Sequence, residues 1–153
     1  MKPVLYLLSL ALLAVALGSC SPEPKPIPYG QANCAHCSMT VADNRYGAEL
    51  VNEKGKPYFF DSAECLMAYV IEQPEQGEKA AYLLVTDFTR PGELLNAKDA
   101  QYLQAKALPS PMGMYLTAVA DEATATKMQK EIGGQVLTWS EAVSAVQNNE
   151  RPE

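Results

Sequence analysis

Short apolar runs broken by polar turns divide the chain from Ala48 onward into strands and helices. Ala48-Glu49-Leu50-Val51-Asn52 and Pro57-Tyr58-Phe59-Phe60 read as strands, and the glycine of Glu53-Lys54-Gly55-Lys56 between them suits a hairpin turn. Asp61 or Ser62 is placed to cap a helix, with Glu64 in register for a capping box from Asp61. Leu66, Met67, Val70 and Ile71 recur at helical spacing until Gln73-Pro74 stops the run. Ala81 to Val85 returns to a strand pattern. The order is strand, strand, helix, strand.

The second half repeats that order without repeating its residues. Tyr102 to Ala107 and Met114 to Ala120 read as strands. Asp121 can cap a helix whose apolar positions include Ala125, Met128 and Ile132, and Gly133-Gly134 ends it. Gln135 to Trp139 is a further strand, and Ser140 to Gln147 a terminal helix. The expected fold class is α+β, two related ββαβ units packed into one domain, with a C-terminal helix. Met67 and Met128 fall on helical stripes and are read as core filler.

The first thirty residues follow a different pattern. Lys2 precedes an almost unbroken apolar run from Val4 to Leu17, shorter than the roughly 20 residues of a membrane span and suited to a secretory signal. Leu17-Gly18-Ser19-Cys20 has the form of a bacterial lipobox, so residues 1–19 are expected to be a signal peptide and Cys20 the lipidated new N-terminus. Several acyl chains on one cysteine would hold the protein durably to a bacterial membrane, outside the cytoplasm and facing the periplasm. Ser21 to Gly30, with four prolines, reads as an extended tether, so residues 20–32 form anchor and spacer. That leaves one domain over 33–148 and a flexible tail over 149–153. The formal charge is −6, and losing Lys2 with the signal makes it −7. An acidic domain without a basic stretch is a poor candidate for nucleic acid or an anionic lipid surface and suits a cation or a basic protein partner better.

Chemistry concentrates in Cys34-Ala35-His36-Cys37-Ser38-Met39, which contains the chain's single histidine. With Cys20 lipidated, Cys34, Cys37 and Cys65 remain. Cys34 can pair with Cys37, or either with Cys65. A thioredoxin-like reading of C-x-x-C requires a preceding strand and a helix opening at the first cysteine. A proline-rich tether precedes it here, and Thr40-Val41 follow. Haem attachment requires histidine directly after the second cysteine, where Ser38 stands. Structural zinc requires a second ligand pair, with only Cys65 and His36 on offer. If Cys37 to Val41 is extended, Cys37 and Met39 project to the same face. A thiolate with a thioether is a soft donor set that selects Cu(I). Met112-Gly113-Met114 repeats the sulfur spacing in the second half, open to ligation or to packing.

The stretches CAHCSMTVADNRYGAELV, FFDSAEC and LPSPMGMYLTAVA resemble the NosL family, membrane-anchored copper-chaperone lipoproteins that serve maturation of nitrous-oxide reductase. The similarity runs from about Asn33 to about Val143. It implies Cys37 and Met39 as Cu(I) ligands, with Met112 approaching from the second half. It also implies that Asp61, with Glu64 nearby, lies where a harder second metal such as zinc binds. Ser38 replaces the family's usual glycine, Ser62 a common aspartate, and Thr86-Asp87-Phe88 lacks a histidine frequent in relatives. Cys34, His36, Cys65 and Met114 remain additional candidate ligands, His36 equally readable as an exposed imidazole.

The expected function is a lipid-anchored carrier, not an enzyme, that hands Cu(I) to an apo copper enzyme. By the resemblance, that acceptor is nitrous-oxide reductase or its membrane assembly proteins. Two other classes fit part of the pattern: a thiol–disulfide exchange protein using Cys34 and Cys37, and a disulfide-stapled interaction module.

Overall fold

A computed structural model describes residues 21–152, so the signal segment and the lipidation assigned to Cys20 lie outside the described residues. Two antiparallel sheets carry the fold. The first has the order β2-β1-β3-β4, built from β1 (Ala48–Asn52), β2 (Pro57–Phe60), β3 (Ala80–Thr86) and β4 (Leu94–Asn96). The second has the order β6-β5-β7, built from β5 (Gln101–Gln104), β6 (Leu116–Val119) and β7 (Gln135–Leu137). In both, the first strand of the unit lies between the second and the third. Helix α1 (Ala63–Glu72) and the short α2 (Pro74–Glu78) connect β2 to β3; α3 (Glu122–Ile132) connects β6 to β7; α4 (Trp139–Asn148) follows.

Three of the four described helices start where a side chain can meet their open N–H groups, and the short α2 starts at Pro74 with no side-chain cap. Ser62, not Asp61, caps α1, its hydroxyl accepting from Cys65 N–H, and Glu64 turns inward without forming the expected capping box. Asp121 caps α3 through Thr124 N–H. Thr138 and Glu141 form a reciprocal capping box on α4, so Trp139 opens a helix instead of closing a strand. The strand expected from Met114 begins only at Leu116, because Tyr115 sits in the left-handed region at φ 61° and breaks the extended run.

Helix α1 joins the halves. It packs on β1 and β2 of its own sheet and on β6 and α4 of the second unit. Leu66 and Met67 on α1 are fully buried with Leu50, Phe60, Tyr102 and Leu116 in one cluster drawn from both halves. Burying each such side chain is worth about 2 kcal/mol, so the halves share one core. The N-terminal end of α1 therefore stands at the seam between the units.

Candidate metal centre

Two loops and that helix end bring the sulfur residues together. The Cys34 loop folds back on itself: Cys34 N–H donates to the Met39 carbonyl at 2.7 Å, Ser38 N–H to the Cys34 carbonyl at 3.0 Å, and Ala35 N–H to the β2 carbonyl of Phe59 at 2.8 Å. Ser38 adopts φ 66°, a conformation natural to glycine. Cys34 to Met39 is thus a tight turn closed by the antiparallel bridge of Asn33 with Thr40, and the period-two argument for Cys37 and Met39 does not describe it. The turn buries Cys34, leaves Cys37 half-buried and exposes Met39 to 46%.

Asp61 and Cys65 meet this loop from the start of α1. One ligand atom each from Cys34, Cys37, Asp61 and Cys65 lies within 4.8 Å of every other, and all three cysteines are free thiols. The Cys37 thiol donates to Asp61 Oδ2 at 3.6 Å, while Asp61 Oδ1 is buried without a partner. His36 bridges outward, its Nδ1 3.6 Å from Cys65 Sγ and its Nε2 3.2 Å from Glu72 Oε1.

The thiols divide the charge unequally. Cys34 is held down to about 6, chiefly because the Cys65 thiol donates to its sulfur, with N–H groups of Cys37, Asp61 and His36 adding to this against burial. Cys65 is pushed up by that same hydrogen bond, then by burial and by Asp61. Cys37 is pushed up mainly by burial, with the Asp61 carboxylate opposing its ionisation. Cys34 is thus the most readily ionised of three sulfurs that, with Asp61, form a group able to hold a metal ion.

The second half reaches this cluster through Glu64. Its Oε1 accepts from the Ser110 hydroxyl and from Leu116 N–H at 3.0 Å, and its Oε2 from Met112 N–H at 3.2 Å. Ser110 in turn accepts from Tyr115 N–H at 2.7 Å. Burial raises the Glu64 pKa and these donors partly offset the rise. Glu64 therefore clamps the 110–116 loop onto α1, and its oxygens are engaged there, whereas Asp61 belongs with the thiols. The clamp sets Met112 and Met114 into a cavity of about 150 Å³ shared with His36 and Cys65. Asn149 and Arg151 also line it, and neither carried a sequence signal for the site. Thr86 and Asp87 are occupied elsewhere, Thr86 donating to Gly47 and Asp87 accepting from Thr89 and Arg90.

Comparison with known proteins gives one consistent result. The NosL family model matches residues 28–146. The copper-binding lipoprotein NosL of Stutzerimonas stutzeri is 28% identical over 150 residues, covering 88% of this chain and 78% of the relative. The crystal structure of the copper chaperone NosL from Shewanella denitrificans shares the fold with a TM-score of 0.66 at 18% identity, over 78% of this chain and 95% of that one.

Proposed function

The chain belongs to the NosL family, and from that premise we propose that it is a carrier of Cu(I), anchored outside the cytoplasm through Cys20, which delivers the ion to an apo copper enzyme. The observation that carries this reading is the convergence of three thiols and Asp61 within 4.8 Å, beside a cavity lined by Met112 and Met114. Cys37, at the rim, would lose its proton to the ion and join the readily ionised Cys34 in supplying thiolate charge, and Met39 and Met112 would supply neutral thioethers. Thioethers bind without losing a proton and release readily, as transfer to a partner requires. Cys34 and Cys65 lie behind as deeper sulfur donors, and His36 is within reach of the same cavity. No substrate bond is made or broken, so the chain acts as a carrier. Nitrous-oxide reductase or its membrane assembly proteins are the acceptor that the family resemblance favours.

One feature favours a second ion at the same place. Three cysteines with an aspartate form a tetrad of the kind that holds Zn²⁺, with Asp61 in it and Glu64 outside it. An anaerobic Cu(I) titration of reduced residues 21–153 against a coloured chelator, repeated with Zn²⁺ present, tests both. Tight binding of one Cu(I), weakened in Cys37→Ser, Met39→Ala and Met112→Ala, is the expected result. Equal binding by the parent and both methionine variants would return the methionines to packing and put disulfide exchange among the three thiols first. Transfer is checked by mixing the loaded chain with apo nitrous-oxide reductase and following its copper absorption.

A further inference from the structure

The proline-rich segment is not a loose spacer. Pro22, Pro24, Pro26 and Pro28 keep it extended, and it lies along β1 in the opposite direction. Its start rests on the β1–β2 turn, where a Cβ built on Gly55 would stand 3.6 Å from Pro22 Cα. Lys25 N–H then donates to both oxygens of Glu49, at 3.0 and 3.3 Å. Glu49 is fully buried in the middle strand of the sheet pair β2-β1-β3, an expensive place for a carboxylate unless it fastens something. Ile27 is buried, and the Tyr29 ring fills the space over Gly47, its hydroxyl 3.3 Å from Thr86 Oγ1. Gly30 N–H donates to the Val41 carbonyl at 2.8 Å. The strap therefore climbs from the Gly55 turn to the end where Ala48 pairs with Phe60, next to Asp61 and the thiols.

We propose that this strap sets the orientation of the domain on the membrane. The turn Glu53-Lys54-Gly55-Lys56 is the surface seated on phospholipid, and the thiol cluster is carried at the opposite end, facing away. The proposal rests on the lipid anchor at Cys20 in the reading above. Only Ser21 separates Cys20 from Pro22. Two residues of chain reach about 7 Å, which keeps the turn within roughly 10 Å of the lipid-bearing residue. The four residues of β2 add about 13 Å before Asp61 is reached. Lys54 and Lys56 are exposed on the turn together with Glu53, so the turn is near neutral and its two ammonium groups can meet headgroup phosphates once the anchor has brought it to the surface. A free spacer of the same ten residues would let the domain turn in any direction.

The test uses the full lipidated chain in phospholipid vesicles carrying a headgroup-bound nitroxide quencher. In a Trp139→Phe background, tryptophan is placed at the turn by Lys54→Trp or at the exposed edge of the thiol loop by Ala35→Trp. Quenching several-fold stronger for Lys54→Trp is expected, and Lys25→Pro combined with Ile27→Ser should abolish the difference by freeing the strap. Equal quenching at the two positions, or a difference that survives the strap changes, overturns the proposal while leaving the anchor intact. A chain absent from the vesicle fraction overturns it through the anchor itself. Should the strap variant lose its circular dichroism, amide exchange on the vesicle-bound parent decides. Slow exchange at Lys25 and Gly30 supports a docked strap, and exchange at the rate of unstructured peptide overturns it.

Discussion

Replacing Glu64 with alanine tests whether the two halves of the candidate metal centre are held together by one buried carboxylate. The change removes three hydrogen bonds, from Ser110, Met112 and Leu116, and leaves buried donors unpaired at Ser110 and Leu116. Each bond to a charged acceptor is worth about 1.5–3 kcal/mol, and part of the loss is recovered because an expensive buried charge disappears. A net cost of about 3 kcal/mol follows. At roughly 4 °C per kcal/mol for a domain of this size, the melting temperature should fall by about 12 °C. Glu64→Gln should cost about 1–2 kcal/mol, since its carbonyl keeps two donors while its amide faces Met112 N–H. The pH dependence has a definite sign. Burial raises the Glu64 pKa, so its stabilising contribution is fully present below the ordinary glutamate value of about 4.3 and is lost as pH rises through the raised value. The advantage of the parent over the glutamine variant should narrow as pH rises from about 4 toward neutral. Urea unfolding at several pH values reads the stability, and chelator competition reads Cu(I) affinity. A Glu64→Ala protein as stable as the parent, or an advantage that widens with pH, would refute the clamp.

Two further outcomes follow from named contacts. Gly47→Ala should destabilise the fold by about 1–3 kcal/mol in urea unfolding, because the new Cβ would stand 2.7 Å from the Tyr29 hydroxyl oxygen and 3.0 Å from Ile27 Cδ1. Its cost should vanish in a Tyr29→Ala, Ile27→Ala background. In the reduced metal-free protein, thiolate absorbance should appear near pH 6 and be lost in Cys34→Ser. Because Cys34 is depressed, its contribution to stability is present above the ordinary thiol value of about 8.5 and is lost as pH falls through about 6, which unfolding across that window will read.

Most of the element order was legible because Leu50, Phe60, Leu66 and Leu116 stand at periods that survive burial, whereas the three-residue β4 and the short α2, which extend the first unit beyond ββαβ, carry too few residues to show a period. Other features were written in the sequence but masked by a competing signal. Pro74 ends α1 yet occupies the first turn of α2, a position where its missing N–H costs nothing. Thr138 with Glu141 marks a helix start that the apolar run through Trp139 conceals. The candidate site was legible as a set of sulfurs and not as an arrangement. Nothing local in Glu64 tells that it turns away from its own helix cap to hold a loop 46 residues on. Nothing in Ser38 beyond its family context marks a left-handed turn. The docking of the strap is not legible for a related reason: prolines announce an extended chain but not whether it floats or docks, and docking depends on Glu49 and Gly47, distant in sequence.

Backbone strain points to the same place as the donors. Among the described residues, three non-glycines occupy the left-handed region: Ser38, Tyr115 and Asn149. Ser38 lies between Cys37 and Met39, Tyr115 follows Met114, and Asn149 caps α4 and lines the cavity with both second-half methionines. Each costs on the order of 1 kcal/mol relative to an unstrained residue, less for Asn149, whose left-handed conformation is a common way to end a helix. Ser38 and Tyr115 lie in the loops that present sulfur, and Asn149 reaches the same cavity from the end of α4. Two features, the convergence of soft donors and the clustering of strained residues, thus coincide at the seam between two units that share one core. That coincidence is expected of a site whose geometry serves the ion and its exchange and not the stability of the fold.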